Sequence, residues 1–366
     1  MTADHRASRL SSSAAVCRIF DGHQRPLRAA TQPLPDVLDD GQVLVAIELA
    51  TICGSDLHTL AGQRQERTPC ILGHEAVGRV VATGQGRGNL HVGDRITWSI
   101  ADSCGICPFC VEYDLPEKCR SLFKYGHAPL SDGCGLNGCY ASHIVLRRGT
   151  HIVSVPDALE DRIAAPINCA LATVINAIAT IPDSAGTVVI QGGGMLGIYA
   201  CAALHERGVA NIFCVDINER RMAQVARFGG TAVDGRPERC IESRRQIEDA
   251  APDGVDAVLE VAGVSTLVPE GIRLLRPGGF YGFVGMVHPE SRLDITGEQI
   301  IRKCLTIRGV HNYSSRHLDA AVALLERTVE KYPYEELVSP PFVLADLDMA
   351  VQAAKEQTHF RVAVKP

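Results

Sequence analysis

The sequence predicts an α/β protein of two domains, in which a β-rich domain precedes a doubly wound parallel sheet. At 366 residues, the chain is longer than a single hydrophobic core usually supports. Residues 16–170 contain short β-like runs separated by Gly and Pro, such as QVLVAIEL and GDRITWSI, which favour an antiparallel barrel or sandwich. Beyond residue 170, strand-like and helical runs alternate, as in NIFCVD and ERRMAQVARFG, which indicates right-handed crossovers in a parallel sheet.

This change of pattern divides the chain into four segments. We expect a flexible leader at residues 1–15 and the β-rich domain at residues 16–170, with a cysteine-rich lobe at 104–119. The parallel-sheet domain is predicted at residues 171–314. Residues 315–366 then contain one amphipathic helix, HLDAAVALLERT, and one closing strand, FRVAVKP.

Composition excludes several classes of partner. Lys and Arg number 36 against 42 Asp and Glu, and the resulting net charge of −6 offers no basic field to nucleic acid or anionic lipid. The beginning of the chain lacks the apolar core of a signal peptide, and no run approaches the ~20 apolar residues that span a bilayer. We therefore expect a cytoplasmic protein, in which the clustered cysteines among the 14 bind metal rather than form disulfides.

A glycine-rich turn predicts a dinucleotide site. The strand TVVIQ runs directly into the pattern G-x-G-x-x-G, whose glycines allow a tight turn, close approach of a pyrophosphate and packing of helix on strand. The helix that begins there presents free N–H groups to phosphate. The residues of the turn assigned to the cofactor are Gly192, Gly194, Met195, Leu196 and Gly197.

The second strand of this domain ends in an acidic residue, Asp216, about 20 residues beyond the turn. Its carboxylate is expected to accept hydrogen bonds from the adenosine ribose and to repel a 2′-phosphate, so NAD is predicted in preference to NADP. Arg220 and Arg221 follow closely and weaken that preference. The alternative to a nucleotide site is an α/β domain whose crevice binds nothing.

Four cysteines form the most specific pattern in the sequence, C-x2-C-x2-C-x8-C, at Cys104, Cys107, Cys110 and Cys119. Four thiolates surround a zinc ion tetrahedrally and leave no open position, so this site is predicted to be structural. Its role is to fold a lobe that has little core of its own. Further metal-binding residue types occur in CGSDLH, GHE and NCA, but their spacing alone does not group them into a site.

The segments CGSDLH, PCILGHEAVGRVV, VGDRI, CGICPFC, QGGGMLG, VDINERR, LRPGGFYGFVG and LTIRGV resemble, in order, hallmark segments of the medium-chain zinc-containing alcohol dehydrogenase family. The resemblance covers nearly the whole chain beyond the leader. It implies a GroES-like catalytic domain, built from the N-terminal part and residues 315–366, that clasps a Rossmann coenzyme domain. It also implies two zinc ions per chain, an active site between the domains, and homodimers or homotetramers, for which the apolar stretch Gly279–Val287 is the candidate edge.

The resemblance also implies a role for each matching residue. Cys53, His74 and Cys169 match the ligands of a catalytic zinc whose fourth position is open. The other matches to the catalytic site are Glu75 behind the metal, Asp56 orienting the ligand histidine, Ser55 at the substrate oxygen and His58 at the outer end of a proton relay. The matches to the coenzyme site are Thr173 at the nicotinamide, Val284, Gly285 and Met286 at the carboxamide, and Arg361 near the pyrophosphate.

Some positions distinguish this chain within the family, and others bear on the substrate. Gly54 replaces a basic residue that some members of the family use on the phosphates, and the third ligand is a cysteine, as in vertebrate-liver-type enzymes. The segments FKYGHAPLSDGCGLNGCYASHI and APINCALATVINAI resemble a bacterial branch associated with phosphonates. The residues predicted to line the substrate pocket are Trp98, Phe123, Tyr125, His127 and Tyr140, and those predicted to meet an anionic group are Arg67, Lys124 and Arg147.

Taken together, these patterns predict a zinc-dependent, NAD-linked dehydrogenase that interconverts a small polar alcohol and an aldehyde or ketone by hydride transfer. A hydroxyalkyl phosphonate is one candidate substrate. Two alternatives use the same fold. One is a zinc-free enone or quinone reductase, which the cysteine and histidine clusters disfavour, and the other is a non-catalytic NAD-binding protein, which Ser55 and His58 disfavour.

Overall fold

The computed structural model describes residues 14–288 and 291–366. Residues 1–13 of the predicted leader lie outside this part of the chain, and its last two residues begin the first strand. The described residues form 17 strands: β1 (Ala14–Ile19), β2 (Arg28–Pro33), β3 (Val43–Ile52), β4 (Glu75–Thr83), β5 (Arg95–Trp98), β6 (Ala101–Asp102), β7 (Phe123–Lys124), β8 (His143–Leu146), β9 (Ile152–Ser154), β10 (Thr187–Gln191), β11 (Asn211–Asp216), β12 (Thr231–Asp234), β13 (Val255–Glu260), β14 (Leu275–Phe283), β15 (Thr306–Gly309), β16 (Phe342–Val343) and β17 (Val362–Lys365).

The same ranges contain 11 α-helices: α1 (Gly54–Leu60), α2 (Pro108–Val111), α3 (Asp161–Ala164), α4 (Ala172–Ala179), α5 (Met195–Glu206), α6 (Glu219–Val225), α7 (Cys240–Ala250), α8 (Val268–Leu274), α9 (Gly297–Arg302), α10 (Ser315–Thr328) and α11 (Leu347–Lys355). A π-helical turn, Ile167–Leu171, lies between α3 and α4. Short 3₁₀ turns occur mainly at helix ends and in connections.

The first sheet joins the two ends of the chain. Its strands follow the order β16-β17-β3-β4-β5-β9, and β8 pairs with the other part of β3. Most of these pairs are antiparallel, as the short punctuated runs of the sequence predict, whereas β16 and β17 are parallel. The closing strand β17 lies antiparallel to β3 with Val362 opposite Ile52, so a strand from residues 315–366 completes the sheet begun by the N-terminal part.

The second sheet is wholly parallel, with the strand order β12-β11-β10-β13-β14-β15. Counted along the chain, this is the doubly wound order 3-2-1-4-5-6, in which the crevice for a ligand lies between the first and fourth strands. All five residues of β10 are buried, since helices cover both faces of such a sheet. The strand β14 pairs with β13 and β15, so the stretch Gly279–Val287, predicted as an edge, is not at an edge of this sheet. The edge strands among the described residues are β12 and β15.

One continuous helical segment, Asp161–Ala179, crosses the predicted domain boundary at residue 170. By length and composition alone it is the one segment of the described chain that meets the criteria for a membrane span. However, 67% of it is buried, as expected for the core helix of a folded domain. It packs against α5 and α10 in one apolar core that extends into the parallel sheet.

Candidate active site between the two domains

The first part of the site is the short helix α1, which follows directly from β3. Cys53 is its N-cap residue, in an extended conformation, and its backbone N–H donates a hydrogen bond of 3.0 Å to Oδ2 of Asp56. The same Oδ2 accepts a 2.9 Å hydrogen bond from the buried Tyr140 hydroxyl. Ser55 and His58 stand three residues apart on α1, which places them on one face of the helix.

His74 precedes β4 and faces this helix. Its Nδ1 lies 3.5 Å from Oδ1 of Asp56, and its Nε2 lies 3.4 Å from the Ser55 hydroxyl. Both Nδ1 of His74 and Oδ1 of Asp56 are buried without another hydrogen-bond partner, so each is the nearest polar partner available to the other. An Asp56 carboxylate at Nδ1 leaves Nε2 as the atom that binds a metal.

Cys169 lies in the π-helical turn, where one extra residue per turn changes the direction of the side chains. Its neighbour Asn168 holds this turn against the β-rich domain. The Asn168 amide donates to the carbonyl oxygens of His74, at 3.0 Å, and of Trp98, at 2.9 Å. The turn thereby brings Cys169, from the middle of the helical segment, close to His74.

The result is a cluster of Cys53, His74, Glu75 and Cys169, whose ligand atoms all lie within 4.8 Å of one another. Two sulfurs and one imidazole nitrogen are a typical donor set for a catalytic zinc with one position left for substrate. The Cys169 thiol lowers the pKa of Cys53 well below its ordinary value, and burial opposes that shift. Metals bind the thiolate form, so the donor set and its environment fit a zinc ion.

A buried ion pair between Arg361 and Glu75 lies beside the cluster. Arg361 donates to both carboxylate oxygens of Glu75, at 2.8 and 3.1 Å, and its Nη2 lies 3.7 Å from the Cys53 sulfur. Thr51 donates a further 2.6 Å hydrogen bond to Glu75. Burial raises the pKa of Glu75, and the charge of Arg361 opposes that shift. The resemblance places Arg361 near the pyrophosphate. In the structure its guanidinium is hydrogen-bonded to Glu75, beside the donor cluster.

The four cysteines of the lobe also converge, with their sulfurs within 4.8 Å of one another. The sulfur of Cys107 lies 3.6 Å from that of Cys110 and 3.9 Å from that of Cys119, close to the ~3.7 Å that tetrahedral zinc with 2.3 Å bonds requires. Backbone N–H groups, that of Arg120 above all, lower the pKa of Cys107 to about 6. The lobe has little core, since Ile106 is 82% exposed.

We expect Cys107→Ser to reduce the zinc content from two ions per chain to one and to lower the thermal unfolding midpoint, because metal ligation takes the place of a core in the lobe. Zinc is measured by mass spectrometry and unfolding by circular dichroism. Cys134→Ser is the matched control, since Cys134 is exposed, unpaired and outside both clusters. Equal zinc content in the two variants contradicts the assignment of a four-sulfur site.

The glycine-rich turn has the geometry that the sequence predicts. Gly192 has a φ of +112°, a conformation that residues with a side chain rarely adopt. A Cβ atom on Gly197 would collide with the carbonyl oxygen of Gly192, so this glycine is needed where helix meets strand. Gly194 is the N-cap of α5, and the first turn of that helix opens toward the crevice between β10 and β13.

Asp216, at the end of β11, is held beside this turn. Its Oδ2 accepts a 2.7 Å hydrogen bond from Gly193 N–H, and its Oδ1 accepts one of 2.8 Å from Asn218 N–H. The guanidinium of Arg221 lies 3.5 Å from Oδ2 and also donates to Gln357. The carboxylate is therefore fixed at the position where a ribose is expected, and its charge is partly neutralised.

Sequence reasoning missed Glu260, which organises the loops after β13 and β14. This buried carboxylate accepts hydrogen bonds from Gly263 N–H at 2.5 Å and from Gly285 N–H at 3.2 Å. A Cβ on Gly285 would collide with Gly263, so the two loops lie in direct backbone contact. A lone Glu at the end of a buried strand was the available signal, and burial raises its pKa.

Both halves of the site line one cleft of about 850 Å³. The predicted residues that line it are Cys53, Ser55, His58, His74, Cys169, Thr173, Gly192, Gly194, Met195, Leu196, Asp216, Arg221, Val284, Gly285 and Arg361. Asp56, Glu75 and Gly197 lie behind the lining, and Met286 lines a neighbouring cavity. Residues of the lining that the sequence did not single out include Arg64, Ile217, His311, Asn312 and Phe360.

The aromatic residues predicted for the substrate pocket lie elsewhere, with one exception. His127 lines the cleft, with its ring centroid 5.4 Å from that of His74. The other four are buried in the core of the β-rich domain: Trp98, Phe123, Tyr125 and Tyr140. Among the basic candidates, Lys124 lines the cleft, whereas Arg67 lies at the surface near Asp132 and Arg147 stacks on Phe123.

Comparison with known families matches both parts of the chain. Residues 39–157 match the alcohol dehydrogenase GroES-like domain, and residues 196–327 match the zinc-binding dehydrogenase domain. A "probable D-xylulose reductase A" of Neosartorya fischeri is 30% identical over 80% of this chain and 81% of its own length. The chain belongs to the medium-chain zinc-containing alcohol dehydrogenase family. As a member, it is an oxidoreductase of CH–OH groups that works with a metal and a nicotinamide cofactor.

Individual members of the family are similar along nearly their whole length. The 5-exo-hydroxycamphor dehydrogenase of Pseudomonas putida is 27% identical over 86% of this chain and 89% of its own. The sorbitol dehydrogenase of Halalkalibacterium halodurans is 29% identical over 89% and 92%. An alcohol dehydrogenase structure from Thermotoga maritima superposes with a TM-score of 0.90 at 29% identity and covers 96% of this chain and 99% of that one. The two-domain fold predicted from the sequence is thereby confirmed.

Proposed function

We propose that this family member is a zinc-dependent, NAD-linked dehydrogenase that interconverts a small polar alcohol and the corresponding aldehyde or ketone. The observation that carries the proposal is the shared cleft, lined at once by the Cys53, His74 and Cys169 donors and by the glycine-rich turn. A substrate between them has its carbon within reach of a nicotinamide and its oxygen beside the donor cluster. The net reaction converts alcohol and NAD⁺ to carbonyl, NADH and one proton.

The residues of this chain divide the work. Cys53, His74 and Cys169 would hold a zinc ion, which would supply Lewis-acid chemistry at the substrate oxygen. Ser55, whose hydroxyl lies 3.4 Å from His74 Nε2, accepts a hydrogen bond from the substrate hydroxyl. As it takes the substrate proton, Ser55 passes its own hydroxyl proton toward His58. His58 lines the same cleft on α1, with its Nδ1 2.5 Å from Gln63, and accepts that proton on the solvent side. Asp56 keeps the His74 ring oriented throughout.

A panel assay tests the proposal directly. The zinc-loaded full chain is incubated with NAD⁺ or NADH and with polyols, simple alcohols, ketones, hydroxyalkyl phosphonates and phosphonate aldehydes. We expect turnover of at least one alcohol–carbonyl pair, and loss of that turnover in a chelator that removes zinc. Reduction of enone double bonds by the zinc-free protein, or NADH binding with no turnover on the panel, would instead support the two alternative functions.

Asp216→Ser is expected to raise the preference for NADP over NAD by about 10- to 100-fold, since a charge-assisted hydrogen bond to the ribose is worth about 1.5 to 3 kcal/mol. The substitution also releases Arg221 from its 3.5 Å ion pair, and a free guanidinium suits a 2′-phosphate. The measurement is kcat/KM for each cofactor. Glu219→Gln is the control, because that carboxylate is 76% exposed and lies outside the cleft. An unchanged cofactor ratio in the Asp216 variant argues against the ribose contact.

A further inference from the structure

The wall of the cleft that belongs to the β-rich domain carries an excess of basic side chains. Its basic members are Arg64, after α1, Lys124, at the end of β7, and His127, in the following turn. Burial lowers the pKa of His127, so the positive charge of this wall belongs to Arg64 and Lys124. They line the same cleft as the donor cluster, and Lys124 is close enough to Cys169 for their charges to interact. The basic wall therefore faces the space next to the reacting oxygen.

Lys124 is the unpaired member of this wall. Within residues 14–288 and 291–366 its ammonium group makes no hydrogen bond and no ion pair, although the side chain is only partly accessible. Burial, followed by the charge of Arg64, lowers the pKa of Lys124 to about 8. A partly desolvated cation without a partner is costly, and a bound anion removes that cost.

The nearby acidic groups are already engaged. Glu66 lies 2.8 Å from His127 Nδ1 and 3.6 Å from the Arg64 guanidinium, so it serves two partners. Its charge also acts on Lys124, but the two groups form no ion pair. Among the described residues that line the cleft, Asp216 is the only one with a carboxylate, and it lies at the opposite, coenzyme end. The donor cluster does not neutralise the positive charge of Lys124 and Arg64 either. Its two thiolates would balance a divalent ion, and Arg361 pairs with Glu75.

We propose that the substrate carries an anionic group, a carboxylate, phosphonate or phosphate, which Lys124 and Arg64 hold while its hydroxyl or carbonyl end lies at the donor cluster. The proposal rests on the dehydrogenase function proposed above and deepens it by naming the substrate class. Arg64 supplies a planar set of donors suited to an oxyanion, and Lys124 supplies a point charge. Both side chains line the same cleft as Cys169, so one small substrate can reach them and the donor cluster together.

Matched pairs of substrates test this specificity. One pair is 2-hydroxyethylphosphonate and its dimethyl ester, and the other is 3-hydroxypropionate and its amide, so that charge changes while the alcohol stays. We expect the wild-type protein to have a higher kcat/KM for the anionic member than for the neutral member in at least one of the two pairs. Lys124→Met and Arg64→Met should each lower that anionic-to-neutral ratio by about 10- to 100-fold, the value of a hydrogen bond to a charged group.

Arg67→Met is the control, because Arg67 belongs to the same loop as Arg64 but its side chain is 76% exposed and points away from the cleft. Its ratio should equal that of the wild type. A wild-type preference for the neutral members, or an unchanged ratio in Lys124→Met, overturns the proposal while leaving the dehydrogenase function intact. The carboxylate and phosphonate pairs show which anion the site prefers.

Binding provides a second measurement that does not depend on turnover. Calorimetry on the zinc-loaded, NADH-bound protein measures the affinity for 2-hydroxyethylphosphonate, which Lys124→Met should weaken at least tenfold. The affinity of the same variant for NADH should stay within about twofold of the wild type, less than the loss of one good hydrogen bond. If Lys124→Met weakens NADH binding instead, the cation serves the coenzyme phosphates and the proposal is wrong. Anion binding without turnover of any substrate counts against the dehydrogenase function alone.

Discussion

Cys53→Ser is expected to reduce kcat by about 10³- to 10⁴-fold while NADH binding persists. Cys53 is one of the three proposed zinc ligands, and loss of a thiolate ligand would remove the proposed Lewis acid at the substrate oxygen. The substitution is expected to raise the activation free energy of the reaction by several kcal/mol, and each 1.36 kcal/mol corresponds to a factor of ten in rate. The glycine-rich turn lies on the other domain and keeps its geometry, so the coenzyme still binds.

Turnover is measured on the best substrate of the panel, zinc by mass spectrometry and NADH binding by fluorescence. Cys70→Ser is the matched control, since Cys70 is also a buried thiol of the β-rich domain but lies outside both cysteine clusters. Burial raises the pKa of Cys70 to about 12, so this thiol stays protonated. Full activity of the Cys53 variant with one zinc per chain would show that the catalytic metal is bound elsewhere or is not required.

Arg361→Met is expected to lower the free energy of unfolding by about 3 to 5 kcal/mol, because it leaves the Glu75 carboxylate buried without its cation. Glu75 is fully buried, and Arg361 donates to both of its oxygens. Urea unfolding of the β-rich domain, followed by the fluorescence of Trp98 in its core, measures the change. The chain contains one tryptophan, so the signal reports on this domain.

Two further variants separate the loss of the ion pair from other effects. Arg79→Met breaks an exposed pair with Glu48 in the same sheet and should cost about 1 kcal/mol or less. The double change Glu75→Gln with Arg361→Met removes the buried charge and should recover a large part of the lost stability. If Arg361→Met costs no more than Arg79→Met, the buried pair does not stabilise the domain.

The features that the sequence predicts correctly are local ones. Alternation of strands and helices, the turn at Gly192–Gly197 and the spacing of the four lobe cysteines are all contained in short windows. Each has a direct physical reason, such as the positive φ of Gly192. The catalytic donors are different, since Cys53, His74 and Cys169 meet only after the domain folds, and resemblance to a family was needed to group them.

Side-chain direction could not be predicted. Trp98, Tyr125 and Tyr140 are of the types that line pockets, but tertiary packing turns them into the core, where Tyr140 instead holds Asp56. Arg64 and Arg67 lie in one polar loop and look equivalent in the sequence, yet the exposed fractions of their side chains are 26% and 76%. Which of the two faces the cleft depends on how the loop packs, and nothing in the residue types encodes it.

The closing strand β17 has a consequence for biosynthesis. Val362 lies opposite Ile52, and the next residue back, Arg361, neutralises Glu75, so the first sheet needs residues that are made after the whole parallel sheet. The parallel sheet, in contrast, has all its strands between Thr187 and Gly309 and is complete while translation continues. The parallel sheet can therefore form while the part of β3 that pairs with β17 is still unpaired, because β17 is made later. A chain truncated shortly before its end would lose its first-made domain and keep its second.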